Sequence, residues 1–231
     1  MLRYRRMSAR LFVGIIEFIV LLLSLSVHES AHAWTADKLG DPTARFLGRV
    51  SLNPIVHIDP FGTILLPLIG LYSGFMFGWA KPVPVSVNRL RNPSRDYMLV
   101  AAAGPLSNIL LAVLLFGVLI VVKQSSLHAA YIVRDVASLN VPQEAGAIVP
   151  LVMVAFYGIV INIILAVFNF IPIEPLDGAG VFSGLLPGPV SSFLHSIQSY
   201  GFYILLVLVF LGIPAYFYNP MISLIQSILT A

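Results

Sequence analysis

Five consecutive residues, His28-Glu29-Ser30-Ala31-His32, bring together the side chains that bind a metal ion and use it. They fit the pattern H-E-x-x-H. On a helix, residues four apart stand one above the other on one face, so two imidazoles there can reach a single ion. The chain has no cysteine, so a metal must be held by histidines and carboxylates. Glu29 stands beside the first histidine, where a carboxylate can hold a water and take its proton. Zinc brings the pKa of such a water down to about 7, and the hydroxide can attack a carbonyl. A catalytic zinc takes three protein ligands and keeps one position open. The third ligand is to be sought among His57, His128, His195 and the carboxylates. Asp177 stands out, because the prolines and glycine of Glu174-Pro175-Leu176-Asp177-Gly178 break an apolar helix where a carboxylate can turn inward. Glu174 competes with it on chemistry, and an ordinary Asx-Gly turn is the plain alternative.

The elements that carry these residues are those of a membrane protein. Of the 231 residues 58% are hydrophobic and 10% charged, against about 25% charged in soluble domains. The exterior therefore faces lipid, and the expected class is an all-α polytopic membrane protein, a bundle of about 4–6 apolar helices. The net charge of +3 comes from basic residues scattered between apolar runs. That suits headgroup contact with a lipid bilayer and excludes a nucleic-acid footprint. A single membrane domain is expected over residues 1–231, with a catalytic core at about 10–185 and a C-terminal helix region at 190–231.

Apolar segments run over residues 11–34, 61–80, 97–122, 147–171 and 200–218. The basic N-terminus and its long apolar run read as a retained helix rather than a cleaved leader. Residues 123–146 read as a mixed loop, and residues 219–231 as a short interfacial helix. The H-E-x-x-H motif ends the first segment. Two histidines and a glutamate there are costly in lipid unless they have partners, which makes them functional by default. Ser24 and Glu17 lie on roughly the same side of that helix. Glu17 lines the bundle interior or merely packs there with a local partner.

Several motifs in this order resemble the site-2 proteases, the intramembrane zinc metalloproteases. They are H-E-x-x-H on the first helix, Ala103-Gly104-Pro105-Leu106-Ser107-Asn108 opening a later one, and Asn169-Phe170-Ile171-Pro172-Ile173-Glu174-Pro175-Leu176-Asp177-Gly178 closing another. The stretches Asn53–Thr63 and Gly78–Val85 are similar to those of a compact bacterial branch without an obvious extra soluble domain. The resemblance implies one zinc ion held by His28, His32 and Asp177, with Glu29 as general base. It further implies that Asn169 faces the site and stabilises an oxyanion, and that Asn108 bonds or polarises the substrate backbone. Asn162, seven residues before Asn169, falls on nearly the same face. For all three asparagines the plainer reading is an interhelical hydrogen bond. His57 is a site residue or a loop hydrogen-bonder. The family turn usually continues Asp-Gly-Gly, whereas Ala179 follows Gly178 here. That extra methyl is expected to shift packing slightly and spare the ligand.

A zinc shared by these residues puts the ends of the first and fourth apolar segments on one membrane face. Three crossings between them would put them on opposite faces. The second segment, broken by Pro67, Gly70, Gly74 and Gly78, is therefore expected to enter and return as a re-entrant element. A short β element is expected near Lys81–Val87, with an edge that an extended substrate could join. On this topology seven Lys and Arg lie on the active-site side and six on the other, too even to orient the chain by charge. The resemblance implies the cell (inner) membrane, with the site toward the cytosol. The expected activity is hydrolysis of peptide bonds within or near transmembrane segments of a protein substrate, as in regulated intramembrane proteolysis. A membrane metal-ion carrier or channel built on the same His/Asp cluster is the alternative, and Glu29 discriminates, since a carrier has no particular need of a base. The sequence leaves the oligomeric state open.

Overall fold

The computed structural model describes residues 2–73, 78–142, 146–186 and 188–231. Helix α1 spans Leu2–Lys38, α2 Thr43–Phe46 and α3 Leu66–Ser73, the last entered through a π-helical turn at Pro60–Leu65. Then come α4 (Pro93–Ser125), α5 (Leu127–Ala137), α6 (Ile148–Asn169), α7 (Asp177–Leu185), α8 (Gly188–Ile197), α9 (Gly201–Phe210) and α10 (Ala215–Thr230). Among the described residues four stretches are long and apolar enough to cross a membrane: Arg10–Lys38, Pro93–Ser125, Ile148–Asn169 and Gly188–Phe210. The protein is an all-α polytopic membrane protein.

Helices α1, α4 and α6 form the centre. Their contacts fall at successive levels, with Ile16, Val20, Ala112, Leu119, Phe156, Ile159 and Ile163 in one buried cluster. Above it Ser24 meets Asn108 and Asn162, and higher still His32 meets Val100. This ladder makes α4 antiparallel to α1 and α6 parallel to it. The C-terminal end of α1, the N-terminal end of α4 and the C-terminal end of α6 therefore share one face. Small residues allow the close approach. Gly158 lies against Leu115 and Val20, where any side chain would collide with Leu115.

The second apolar segment goes in and comes back. Asp59 caps its entry, its Oδ1 accepting from the N–H groups of Phe61 at 3.0 Å and Gly62 at 2.7 Å. Leu71 rests on Gly14 of α1, about 20 Å along that helix from His28 at 1.5 Å per residue. By Trp79 the chain is again beside its entry, with Trp79 N–H donating to the Gly62 carbonyl at 3.1 Å and Lys81 N–H to the His57 carbonyl at 2.9 Å. Residues 74–77, Gly74 among them, lie outside the described residues.

Three expectations need correction. Among the described residues no strand forms at Lys81–Val87. Pro82 and Pro84 have no N–H, the Val83 N–H goes to Glu29, and that of Ser86 goes to Asp41, so the segment is a strap and not a ladder strand. The loop at 123–146 contains α5, which Ser126 caps by accepting from Ala129 N–H at 3.1 Å, while Ile132, Val133, Val136 and Ala137 bury its apolar face. The last apolar stretch does not run on to Tyr218, because Gly212 at φ 69° ends one helix and Pro214 precedes the next. In place of an interfacial tail, α10 packs along the bundle. Tyr218 stacks on Phe168 at 6.5 Å, Leu229 is fully buried, and Lys123 and Arg134 donate to the carbonyls of Ile228 and Ala231.

Candidate metal centre

Helix α1 delivers His28 and His32 to the same side one turn apart, and both are buried. The turn after α6 delivers Asp177. Its sharp return depends on Gly178, where a Cβ would meet the backbone of Phe170 and Ile171. Asp177 is the first residue of α7, where the helix N-terminus favours a carboxylate. The three side chains converge. His28 Nε2 lies 3.0 Å from His32 Nε2, Asp177 Oδ2 lies 3.0 Å from His28 Nε2, and it lies 3.2 Å from His32 Nε2. The methyl of Ala179 does not prevent this. Among the described residues this is the one group of three or more such side chains that could hold a metal.

The other ring nitrogens decide what converges there. His32 Nδ1 lies 2.7 Å from the Val100 carbonyl, and His28 Nδ1 lies 2.6 Å from Asn108 Oδ1. Both partners are acceptors only, so both Nδ1 atoms carry hydrogen. In the neutral imidazoles the lone pairs then sit on Nε2, and two nitrogen lone pairs and a carboxylate oxygen face one another. That arrangement repels itself unless a cation or added protons fill it. Two neutral imidazoles and one carboxylate are also a donor set that suits zinc, so the residues fit the ion.

Helix α4 closes the site from one side. A Cβ on Gly104 would lie 2.5 Å from His32 Cε1 and 2.6 Å from His28 Nε2, so only glycine lets this backbone lie against the imidazoles. Glu29 is half-buried and its Oε2 accepts the N–H of Val83 at 2.9 Å. Val83 is the sole N–H donor in Pro82-Val83-Pro84. The strap that presents it is clamped by Arg49, a buried side chain whose guanidinium donates to the carbonyls of Val56, Lys81 and Pro82.

The remaining candidates fall elsewhere. Glu174 turns away and accepts from Gln198. His57 is buried in the loop with Nε2 2.8 Å from the Ser51 carbonyl. His128 lies on α5 at the other end of the bundle, and the His195 side chain lies outside the described residues. Asn169 is half-buried at the end of α6 and gives one N–H to the Leu165 carbonyl at 2.9 Å. Asn108 is fully buried, and its amide is engaged by His28, Ser24 and Asn162. Sequence reasoning missed Gly104, the Val100 carbonyl and the Val83 N–H as parts of the site. Of these only the single donor between two prolines left a readable signal.

Comparison with known proteins agrees with this geometry. The family model described as Peptidase family M50 matches residues 16–212. "Putative zinc metalloprotease YwhC" of Bacillus subtilis is 37% identical over 207 residues, covering 89% of this chain and 84% of the relative. "Putative zinc metalloprotease Rip2" of Mycolicibacterium smegmatis is 28% identical over 199 residues, covering 85% of this chain and 68% of the relative. No solved structure matches.

Proposed function

Because the chain belongs to peptidase family M50, the site-2 protease family, we propose that it is an intramembrane zinc metalloprotease that hydrolyses peptide bonds within or near transmembrane segments of substrate proteins. The observation that carries this is the triangle of His28 Nε2, His32 Nε2 and Asp177 Oδ2 at 3.0–3.2 Å, with both histidines on the apolar helix α1 beside a glutamate and the aspartate at the start of α7. These three atoms would hold one zinc ion. When bound, zinc supplies a Lewis acid that acidifies water and polarises a carbonyl.

Glu29 is the general base. The Val83 N–H holds one of its oxygens, leaving the other to take the proton of the attacking water and pass it to the leaving amine. The second N–H of Asn169 is a donor for the oxyanion that develops on the substrate carbonyl. A helical peptide bond is shielded by its own hydrogen bonding, so the substrate segment unwinds before it is cut. The protein sits in the cell (inner) membrane with the site toward the cytosol. The test is cleavage of a transmembrane reporter by the full chain in liposomes. Glu29→Gln should retain zinc and lose cleavage. Full cleavage by that variant would sink the assignment of the base.

A further inference from the structure

Behind His28 lies a chain of buried amides whose polarity is fixed by the backbone. Asn162 Nδ2 donates to the Gly158 carbonyl and to Ser24 Oγ, each at 2.8 Å. A backbone carbonyl only accepts, so the nitrogen end of Asn162 is settled and its oxygen faces the other way. That Oδ1 accepts from Asn108 Nδ2 at 2.7 Å, and the same nitrogen donates to the Ser24 carbonyl at 3.3 Å. Asn108 Oδ1 is thereby turned onto His28 Nδ1 at 2.6 Å. Both asparagines have 0% exposure, so no water competes for these bonds.

We infer that Asn162, acting through Asn108, fixes the tautomer and ring orientation of His28 and thereby tunes the metal affinity of the site. This rests on the reading of His28 as a metal ligand. Neither amide reaches the triangle, and both are positioning residues. The relay hands His28 an acceptor without placing a second carboxylate in the apolar bundle, where an unpaired charge is costly. It also ties the ligand on α1 to α4 and α6 at once. His32 needs no relay, because the Val100 carbonyl is a backbone acceptor at 2.7 Å. The two histidines are thus supported differently, and only His28 depends on a residue, Asn162, that does not touch it.

The experiment uses the full chain in detergent, with zinc affinity read by chelator competition and the absorption spectrum of the cobalt-loaded protein read alongside. Asn108→Leu keeps the branched side-chain shape and removes the acceptor, and should weaken zinc binding about 10- to 100-fold, as loss of such outer partners does elsewhere. Asn162→Leu should weaken it in the same direction by less and shift the cobalt spectrum. Asn108→Asp retains an acceptor toward His28 and should bind zinc more tightly than Asn108→Leu. A packing role predicts the reverse order, with the leucine harmless and the buried charge damaging, and that order would overturn the relay. His28→Ala separates the two claims. If it leaves zinc binding intact, the metal reading itself falls. If it abolishes binding while both leucine variants bind like wild type, the relay alone falls. Should the Asn108 variants not fold, histidine nitrogen NMR on the zinc-loaded wild type decides. A proton on Nδ1 of His28 with metal on Nε2 is expected, and a proton on Nε2 contradicts the relay.

Discussion

The backbone N–H of Val83 donates to Oε2 of Glu29 at 2.9 Å, joining the proline-flanked strap to the helix that carries both histidines. The strap was expected to offer a strand edge, and it instead spends its one free donor within Pro82-Val83-Pro84 on the glutamate. Val83→Pro removes that N–H and keeps the extended backbone that a residue before proline already prefers. A hydrogen bond to a charged group contributes about 1.5–3 kcal/mol. The expected result is a fall in kcat of about 10- to 100-fold, with zinc content unchanged. Val83→Ala keeps the N–H and should cleave like wild type. Equal cleavage by the proline variant would show that the N–H does not hold the base.

Gly104 offers a steric test of the same centre. A methyl there meets His28 Nε2 and His32 Cε1, and packed interiors do not absorb such an intrusion without displacing the rings. Gly104→Ala is therefore expected to lower zinc affinity at least about tenfold, by analogy with other lost supports of metal ligands. Gly117 lies on the same helix with nothing within 4 Å of its would-be Cβ. Gly117→Ala is the control and should bind zinc normally. Equal zinc binding by the two variants would mean that α4 does not press on the imidazoles.

Asp41 gives a pH prediction outside the spans. Burial would raise its carboxyl, but the Thr43 hydroxyl, the N–H groups of Ser86 at 2.6 Å and Thr43 at 3.1 Å, and the charge of Arg89 together hold it below the ordinary carboxylate value. A depressed carboxyl contributes stability that is complete above its unfolded value and is lost as pH falls through its folded value. The acid limb of thermal stability, measured in detergent, should therefore begin near the usual carboxylate range and deepen below it. Asp41→Asn leaves the Ser86 or Thr43 donors poorly matched and should destabilise the protein by about 1–3 kcal/mol near neutral pH, with a shallower acid limb. An unchanged acid limb would remove Asp41 from this role.

The sequence carried some of this structure more clearly than the rest. The register of His28 and His32 follows from helical period alone, and the re-entrant path followed from where the ends of the first and fourth segments had to lie. Asp177 stands 149 residues from His28. No spacing rule reaches that far, so chemistry left Glu174 in contention until the motif order pointed to Asp177. Gly104 and the Val100 carbonyl act through the absence of a side chain or through backbone and become legible only once α1 and α4 are packed, whereas the Val83 N–H is marked in the sequence by the prolines on either side of it. Two misreadings passed over local signals, the Ser126 cap ahead of α5 and the Gly212-Ile213-Pro214 break. The strand expectation failed on chemistry visible in the chain, since prolines at 82 and 84 leave too few donors for a ladder.

The most direct measurement is a structure of the zinc-loaded chain with an anomalous map at the zinc edge. One peak bounded by His28 Nε2, His32 Nε2 and the Asp177 carboxylate is predicted, with Glu29 beside it and not among its ligands. Zinc held without Asp177, or with Glu174 in its place, would contradict the assignment of the metal centre.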